Sequence, residues 1–296
     1  MSKRKFVYFW KYVFLILVAI ISIFPMYWMI VSGTNKSVDV IVGKILPGNY
    51  LMENLKSLLD TTVLSQAMWN SIRNAVVSMV LNVFVCSLAG YGFEKFHDKY
   101  KDKIMSILLL SMMVPTAATV IPLFRMFGKM GLLNTTVGCI LPTVSTAFMI
   151  FMFRQAAKSF PDEIIEAARI DGVFFFIKQY MDSVLPMELV EAARIDGVGE
   201  WGIYFKMFLP IMKSTYAAAA IVSFMNAWNS YMWPLIVLQN ENSKTMPILV
   251  SGLTARYTID YGSMMLAVTI STIPMLIIFF VLQKNFVEGI TGSVKS

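Results

Sequence analysis

Six stretches of this chain contain no Asp, Glu, Lys or Arg: 12–33, 74–93, 104–124, 130–153, 214–240 and 261–283. A helix needs about 20 apolar residues to cross a hydrocarbon core of roughly 30 Å, and each of these stretches is long enough. A charge at the centre of such a helix costs about 2.5–3.5 kcal/mol on insertion scales, so six gaps of this length mark segments selected for lipid. With 57% hydrophobic and 15% charged residues in 296, the chain has too little polar surface for a soluble fold of its size. No stretch shows the sustained dyad alternation that a membrane β-barrel requires. The expected fold class is all-α, a polytopic membrane bundle of six transmembrane helices spread over a single domain, 1–296.

Orientation follows from the basic residues. With the N-terminus inside, the cytoplasmic set holds Lys3, Arg4, Lys5, Lys11, Lys95, Lys99, Lys101, Lys103, Arg154, Lys158, Arg169, Lys178, Arg194, Lys206, Lys213, Lys284 and Lys295. That is 17 of the 25 Lys and Arg residues, which satisfies the positive-inside bias and returns both termini to the cytoplasm. The apolar run after Lys3–Lys5 is too long for a signal peptide and no small-residue cleavage site follows, so it reads as an uncleaved first helix. Prolines fall inside several spans, at Pro25, Pro115, Pro122, Pro142, Pro234 and Pro274, and predict kinks. Two external segments, 34–69 and 241–260, either cap the bundle or meet an extracellular partner; the first carries a Pro47-Gly48 turn and an amphipathic stretch, Met52–Leu59.

The segment between the fourth and fifth spans is different in kind. Arg154 to Lys206 holds 15 charged residues, so it stays in the cytoplasm, and it reads as helical. Pro161 and Pro186 stand where first-turn prolines belong, each followed by acidic residues. Asp171-Gly172 and Asp196-Gly197 supply C-terminal stops. Within the segment runs Glu191-Ala192-Ala193, three residues, Gly197, nine residues, Met207, one residue, then Leu209-Pro210.

This spacing resembles the EAA loop of binding-protein-dependent ABC importer permeases, with Met207 where Ile is usual. Small Ala192 and Ala193 would let a helix sink into a groove on a partner, Glu191 would offer a carboxylate there, and Gly197 would turn the chain back toward the membrane. The resemblance assigns ATPase coupling to Glu191, Ala192, Ala193, Asp196, Gly197, Leu209 and Pro210. It narrows to carbohydrate-importer permeases similar to the maltose transporter's second membrane subunit. Carrying it are Asn70-Ser71, Ala89-Gly90-Tyr91, Gly131-Leu132-Leu133-Asn134-Thr135, Trp228 to Leu235 and the tail Phe286 to Lys295. It implies a second homologous permease subunit, two copies of an ABC ATPase, an extracellular solute-binding protein and a sugar substrate, in a bacterial cell membrane. The runner-up function is a membrane sensor or assembly protein that keeps the fold and docks a cytoplasmic partner.

The motif occurs twice. Glu166 to Val173 recurs unchanged as Glu191 to Val198, an offset of 25 residues. Family members carry one copy, so Glu166, Ala167, Ala168 and Gly172 form a duplicate. Only the second copy keeps the correct spacing to Leu209-Pro210 and the fifth span; the first keeps the link to the fourth. The second is therefore the expected docking copy.

Other chemistry is excluded or left open. No Walker A pattern occurs, so nucleotide hydrolysis belongs to another chain, and no HExxH or G-x-S-x-G element suggests an enzyme. No cofactor and no metal site is expected. The single histidine, His97, lies in a basic loop, and the basic residues form no nucleic-acid-binding face. Cys86 and Cys139 read as small buried hydrophobes. No charge sits centrally in a span, which argues against an intramembrane proton relay. Asn82, Asn226, Asn229, Ser230 and Thr269 either bond across helices or meet sugar hydroxyls; Asn226, Asn229, Ser230 and Tyr231 are the candidate pathway-lining residues. Trp228, Tyr231 and Trp233 either belong to an interfacial aromatic belt or stack on a sugar ring.

Overall fold

A computed structural model of the chain describes residues 3–95, 99–158, 201 and 204–292. All regular structure among them is helical. In chain order the helices are α1 (Lys3–Ser32), α2 (Ser37–Ile41), α3 (Leu51–Thr61), α4 (Leu64–Lys95), α5 (Lys99–Ser111), α6 (Thr116–Lys129), α7 (Thr136–Ile140) and α8 (Ala147–Lys158). A π-helical turn, Tyr204–Phe208, and a short turn, Leu209–Ile211, lead into α9 (Lys213–Trp228), α10 (Met232–Val237), α11 (Met246–Thr254) and α12 (Tyr261–Gly292).

The stretches 74–93 and 261–283 and all of 12–33 but Gly33 each lie within one long helix. By length and composition these three helices are able to cross a membrane. The other three stretches are interrupted. In 104–124 the chain turns by 98° between α5 and α6. Pro115 stands at the N-cap of α6 with extended backbone (φ −65°, ψ 135°), because a proline cannot donate into the preceding helix. In 130–153 a bend of 46° separates α7 and its 3-10 continuation, Leu141–Thr143, from α8, with Pro142 inside the 3-10 turn. In 214–240 the helix stops at Trp228 and resumes at Met232. If each bent pair is counted as one crossing, five spans pass the same test.

The chain divides into two compact units, one of 1–69 with 244–274 and one of 70–243 with 275–296. The first has its core where α3, the start of α4, α11 and α12 meet, from Leu58, Leu64, Ala67, Met246, Leu249, Leu253 and Ala267. The segment 34–69 is a packed cap within this unit. Asn54, buried on α3, donates to the carbonyls of Gly33 and Asn35, each at 2.9 Å. Asp260, just before α12, accepts from Ser37 Oγ at 2.6 Å, Ser263 Oγ at 2.6 Å and Ser57 Oγ at 3.4 Å. Burial pushes the Asp260 carboxyl up, but the hydrogen bonds from Ser263, Ser37 and Ser57 outweigh it and hold the group below its ordinary value.

The second unit packs α4, α5, α8 and α9 around Cys86, Met105, Met149, Ile150, Phe153 and Ala219. Gly90 on α4 allows a close crossing with α8: a Cβ there would stand 2.6 Å from the Phe153 Cβ. A smaller cluster joins Cys139, Val237 and Leu238, with Leu133 and Trp233 packed against it. The turn ahead of α7 explains the Gly131–Thr135 string. Gly131 and Asn134 both adopt positive φ, 68° and 60°. Asn134 Oδ1 accepts from the backbone of Gln239 at 2.6 Å and Asn240 at 3.0 Å, capping the chain after α10. Thr135 caps α7 by accepting from the Gly138 amide at 2.9 Å.

Candidate functional site

Two regions carry the expected function: the cytoplasmic segment with the repeated motif and the interrupted fifth apolar stretch. Both copies of the motif, Glu191, Ala192, Ala193, Asp196 and Gly197 as well as Glu166, Ala167, Ala168 and Gly172, lie outside the described residues. Leu209 and Pro210 are described. They form the helical turn that follows the π-helical turn Tyr204–Phe208, with Leu209 exposed and Pro210 half-buried. A π-helix is rare, occurs as single turns and recurs at functional sites. Here it stands where the motif's downstream end enters the fifth stretch.

Upstream, the segment leaves α8 beside an ion cluster. Arg154 Nη2 donates to Asp102 Oδ1 at 2.6 Å, and Arg154 Nε lies 3.6 Å from Glu94 Oε2. Nothing in the sequence pairs these residues, which are separated by 52 and 60 positions. Among the described residues no group of three or more His, Cys, Asp and Glu side chains is placed to hold a metal ion.

The polar residues of the apolar stretches fall into two sets. Asn82 is 2% exposed on α4 and fully engaged: Nδ2 donates to the Thr143 carbonyl at 2.7 Å, and Oδ1 accepts from Ser223 Oγ on α9 at 3.2 Å. It joins α4, α9 and the 3-10 turn, which is the cross-helix role. Thr269 bonds back to the Met265 carbonyl of its own helix at 2.8 Å. Asn226, Asn229 and Tyr231, by contrast, are exposed and Ser230 is half-buried. They lie at the C-terminal end of α9 and in the break between α9 and α10. Trp228 is buried and stacked on Phe224 at 5.7 Å. Trp233 donates Nε1–H to the Gly138 carbonyl at 3.0 Å and meets Phe127 edge-on at 5.3 Å. Both tryptophans are packing residues, and Tyr231 is the exposed aromatic of the three. Cys86 and Cys139 are buried and free.

An amide exposed along an apolar span is costly against lipid, where no group meets its donors and acceptors, by several kcal/mol on the order of an unmade hydrogen bond. A broken helix at that depth is tolerated where it lines a cavity or meets protein.

The profile of the binding-protein-dependent transport system inner membrane component family matches residues 82–174 and 173–292. The two matches meet at the end of the first copy of the repeat. A lactose transport system permease protein, LacG, from Rhizobium radiobacter is 41% identical over 285 residues, covering 96% of this chain and 95% of that protein. An arabinooligosaccharide transport system permease protein, AraQ, from Halalkalibacterium halodurans is 29% identical, covering 94% of this chain and 93% of that protein. The crystal structure of a bacterial ABC transporter that imports the acidic polysaccharide alginate contains a chain of the same fold. It superposes with a TM-score of 0.75 at 18% identity over 97% of this chain. This chain belongs to the family of binding-protein-dependent transport system inner membrane components. The membership expected from the motif strings is borne out, and with it a multi-pass place in the bacterial cell membrane as a carbohydrate-type ABC permease.

Proposed function

We propose that the chain is one half of a heterodimeric pathway for a sugar or oligosaccharide, crossing the membrane six times with both termini inside. It pairs with a second, homologous permease subunit, and an extracellular solute-binding protein delivers the sugar. Two copies of a separate ATPase supply the energy and dock on the EAA-type helix through Glu191, Ala192, Ala193, Asp196 and Gly197. Leu209 and Pro210 carry the motion into the fifth crossing. ATP binding closes the ATPase pair, and the permease pair opens alternately to each side as a rigid-body switch.

The observation that carries the pathway assignment is the break between α9 and α10, with Asn226, Asn229 and Tyr231 exposed around it. Among the described residues Asn226 and Asn229 make no side-chain hydrogen bond. An amide offers two donors and an acceptor, the complement of a sugar's vicinal hydroxyls. A tyrosine adds an apolar ring for the sugar's C–H face and a hydroxyl. The second copy of the motif is the docking copy, because it alone keeps the nine-residue spacing from Gly197 to Met207 and Leu209-Pro210.

The test is ATP-dependent uptake of radiolabelled oligosaccharides into proteoliposomes holding the complete complex. Asn229→Ala lowers uptake while leaving substrate binding to the isolated solute-binding protein untouched. Wild-type uptake by both Asn229→Ala and Asn226→Ala variants would remove these residues from the pathway.

A further inference from the structure

The segment 159–200 departs from α8 after Lys158 and rejoins the described chain at Trp201, so it has two roots. One is the last turn of α8; the other is the π-helical turn Tyr204–Phe208. Both roots rest on one face of α4. Ser87 stands three and four positions before Gly90 and Tyr91, and Glu94 four and three after them, the spacing that places side chains on one face of a helix.

At the upstream root, Phe153 is fully buried against Gly90, and Arg154 reaches both Glu94 on α4 and Asp102 on α5. At the downstream root, Tyr204 is 1% exposed, and its hydroxyl lies 2.6 Å from Ser87 Oγ and 3.0 Å from Tyr216 OH. Its ring meets Tyr91 edge-on at 5.7 Å and stacks on Phe208 at 5.7 Å, and Phe208 in turn meets Tyr91 at 5.1 Å. The contacts differ in stiffness. Among the described residues Arg154 Nε is buried without a hydrogen bond, its distance to Glu94 exceeds hydrogen-bonding reach, and the Asp102 side chain is 77% exposed. That root has slack. The Ser87–Tyr204–Tyr216 chain is buried, short and surrounded by rings, so that root is firm.

We propose that the Ser87–Glu94 face of α4 is the post on which both roots of the coupling segment are mounted, and that Tyr204 and Arg154 are positioning residues that turn displacement of that segment into movement of the membrane helices. The proposal rests on the coupling role assigned to the segment. Tyr204 is the fixed pivot, holding the π-helical turn against α4 while Leu209, Pro210 and α9 follow it. Arg154 is the sliding contact, keeping α8 in register with α4 and α5 while its distance to Glu94 changes. Loss of either leaves the ATPase bound but passes less of its motion to the pathway.

The experiment measures sugar taken up per ATP hydrolysed in proteoliposomes holding both permeases, the ATPase and the loaded solute-binding protein. Tyr204→Phe removes a single oxygen, and with it the contacts to Ser87 Oγ and Tyr216 OH, and lowers that ratio at least fivefold, about the change that one lost buried hydrogen bond brings. Ser87→Ala lowers it by less, because the Tyr204–Tyr216 contact survives, and the double variant is no worse than Tyr204→Phe alone, because the Ser87–Tyr204 contact is already lost there. Arg154→Ala lowers the ratio, and Arg154→Lys restores most of it by keeping a cation near Glu94. An unchanged ratio in Tyr204→Phe overturns the proposal, even if the melting temperature falls, because the hydroxyl would then be structural alone. Should Arg154→Ala fail to assemble, Tyr204→Phe decides. If the wild-type complex itself shows no hydrolysis-linked uptake, the coupling role of the segment fails instead, which is a different result from an unaltered variant.

Discussion

Gly90 and Gly92 lie two residues apart on α4, and the structure predicts opposite outcomes for the same substitution. A Cβ at Gly90 would stand 2.6 Å from the Phe153 Cβ and 3.0 Å from the Arg154 backbone nitrogen, whereas one at Gly92 would meet nothing within 4 Å among the described residues. Carbon atoms settle at about 3.5–4.0 Å, so Gly90→Ala must push α4 and α8 apart by about 1 Å. The contact is backbone and Cβ, which no rotamer change relieves. Overpacking of this kind costs about 1–3 kcal/mol. Replacing glycine in a helix returns about 1 kcal/mol, at both positions. Gly90→Ala is therefore expected to lose about 1 kcal/mol net and Gly92→Ala to gain up to about 1 kcal/mol. Thermal unfolding of the two purified variants in one detergent, followed by monodispersity on gel filtration, reads the difference. The apparent melting temperatures should fall on opposite sides of the wild-type value. Equal stability of the two variants would refute the close α4–α8 crossing and, with it, the placement of Arg154 beside Glu94.

Asp260 should make the external cap sensitive to acid. Its carboxyl is held below its ordinary value of 3.8, so its stabilisation is complete above that value and disappears as pH falls through the lower folded-state value. The melting temperature of Asp260→Asn should lie below wild type at neutral pH and converge with it in acid, a gap that a constant offset would contradict. Asn134→Ala should cost about 2 kcal/mol, since it loses two backbone contacts and places a Cβ-bearing residue without a local hydrogen bond at positive φ. Asn134→Gly, which relieves the backbone, should cost less, and equal melting temperatures for the two would show that φ is not strained. Cys86 and Cys139, both buried, should resist a membrane-impermeant maleimide until the protein is denatured, a result checked by mass spectrometry of the intact chain.

The apolar segments were legible because charge is nearly forbidden in lipid, and the absence of charge over 20 residues is a long-range signal that needs no partner. Continuity of those segments was not. Pro115 and Pro142 read equally well as kinks within a helix or as its ends, and the 98° turn before α6 depends on where the neighbouring helices let the chain go. The break at Asn229 carried only the weak signal of two amides and a Pro234 downstream. Asn82 was left open between a cross-helix bond and a place on the pathway, and nothing in the sequence distinguished it from Asn226. Exposure separates them, and exposure depends on which face of each helix is covered. Trp228 and Trp233, plausible stacking platforms by composition, prove to be packing residues for the same reason.

The contacts on α4 were illegible for another cause. Ser87 and Tyr204 are 117 positions apart, and a lone serine in an apolar helix has many uses. Only folding shows that its hydroxyl, Tyr216 and Tyr204 converge. The Asn134 turn lies between these extremes. The string Gly131–Thr135 was recognisable as a family signature, but its reason, two positive-φ residues and a side-chain cap on Gln239 and Asn240, required the backbone.

The proposed transport function stands on coupling to a separate ATPase through the second copy of the repeated motif. Single cysteines at Ala193 and, separately, Ala168 test it most directly, in a background with Cys86 and Cys139 replaced and with the cognate ATPase carrying a cysteine in its docking groove. A crosslink is expected from Ala193→Cys, altered in yield by ATP, and none from Ala168→Cys. A crosslink from Ala168→Cys alone would transfer docking to the first copy. An assembled complex with no crosslink from either position would contradict the coupling assignment itself.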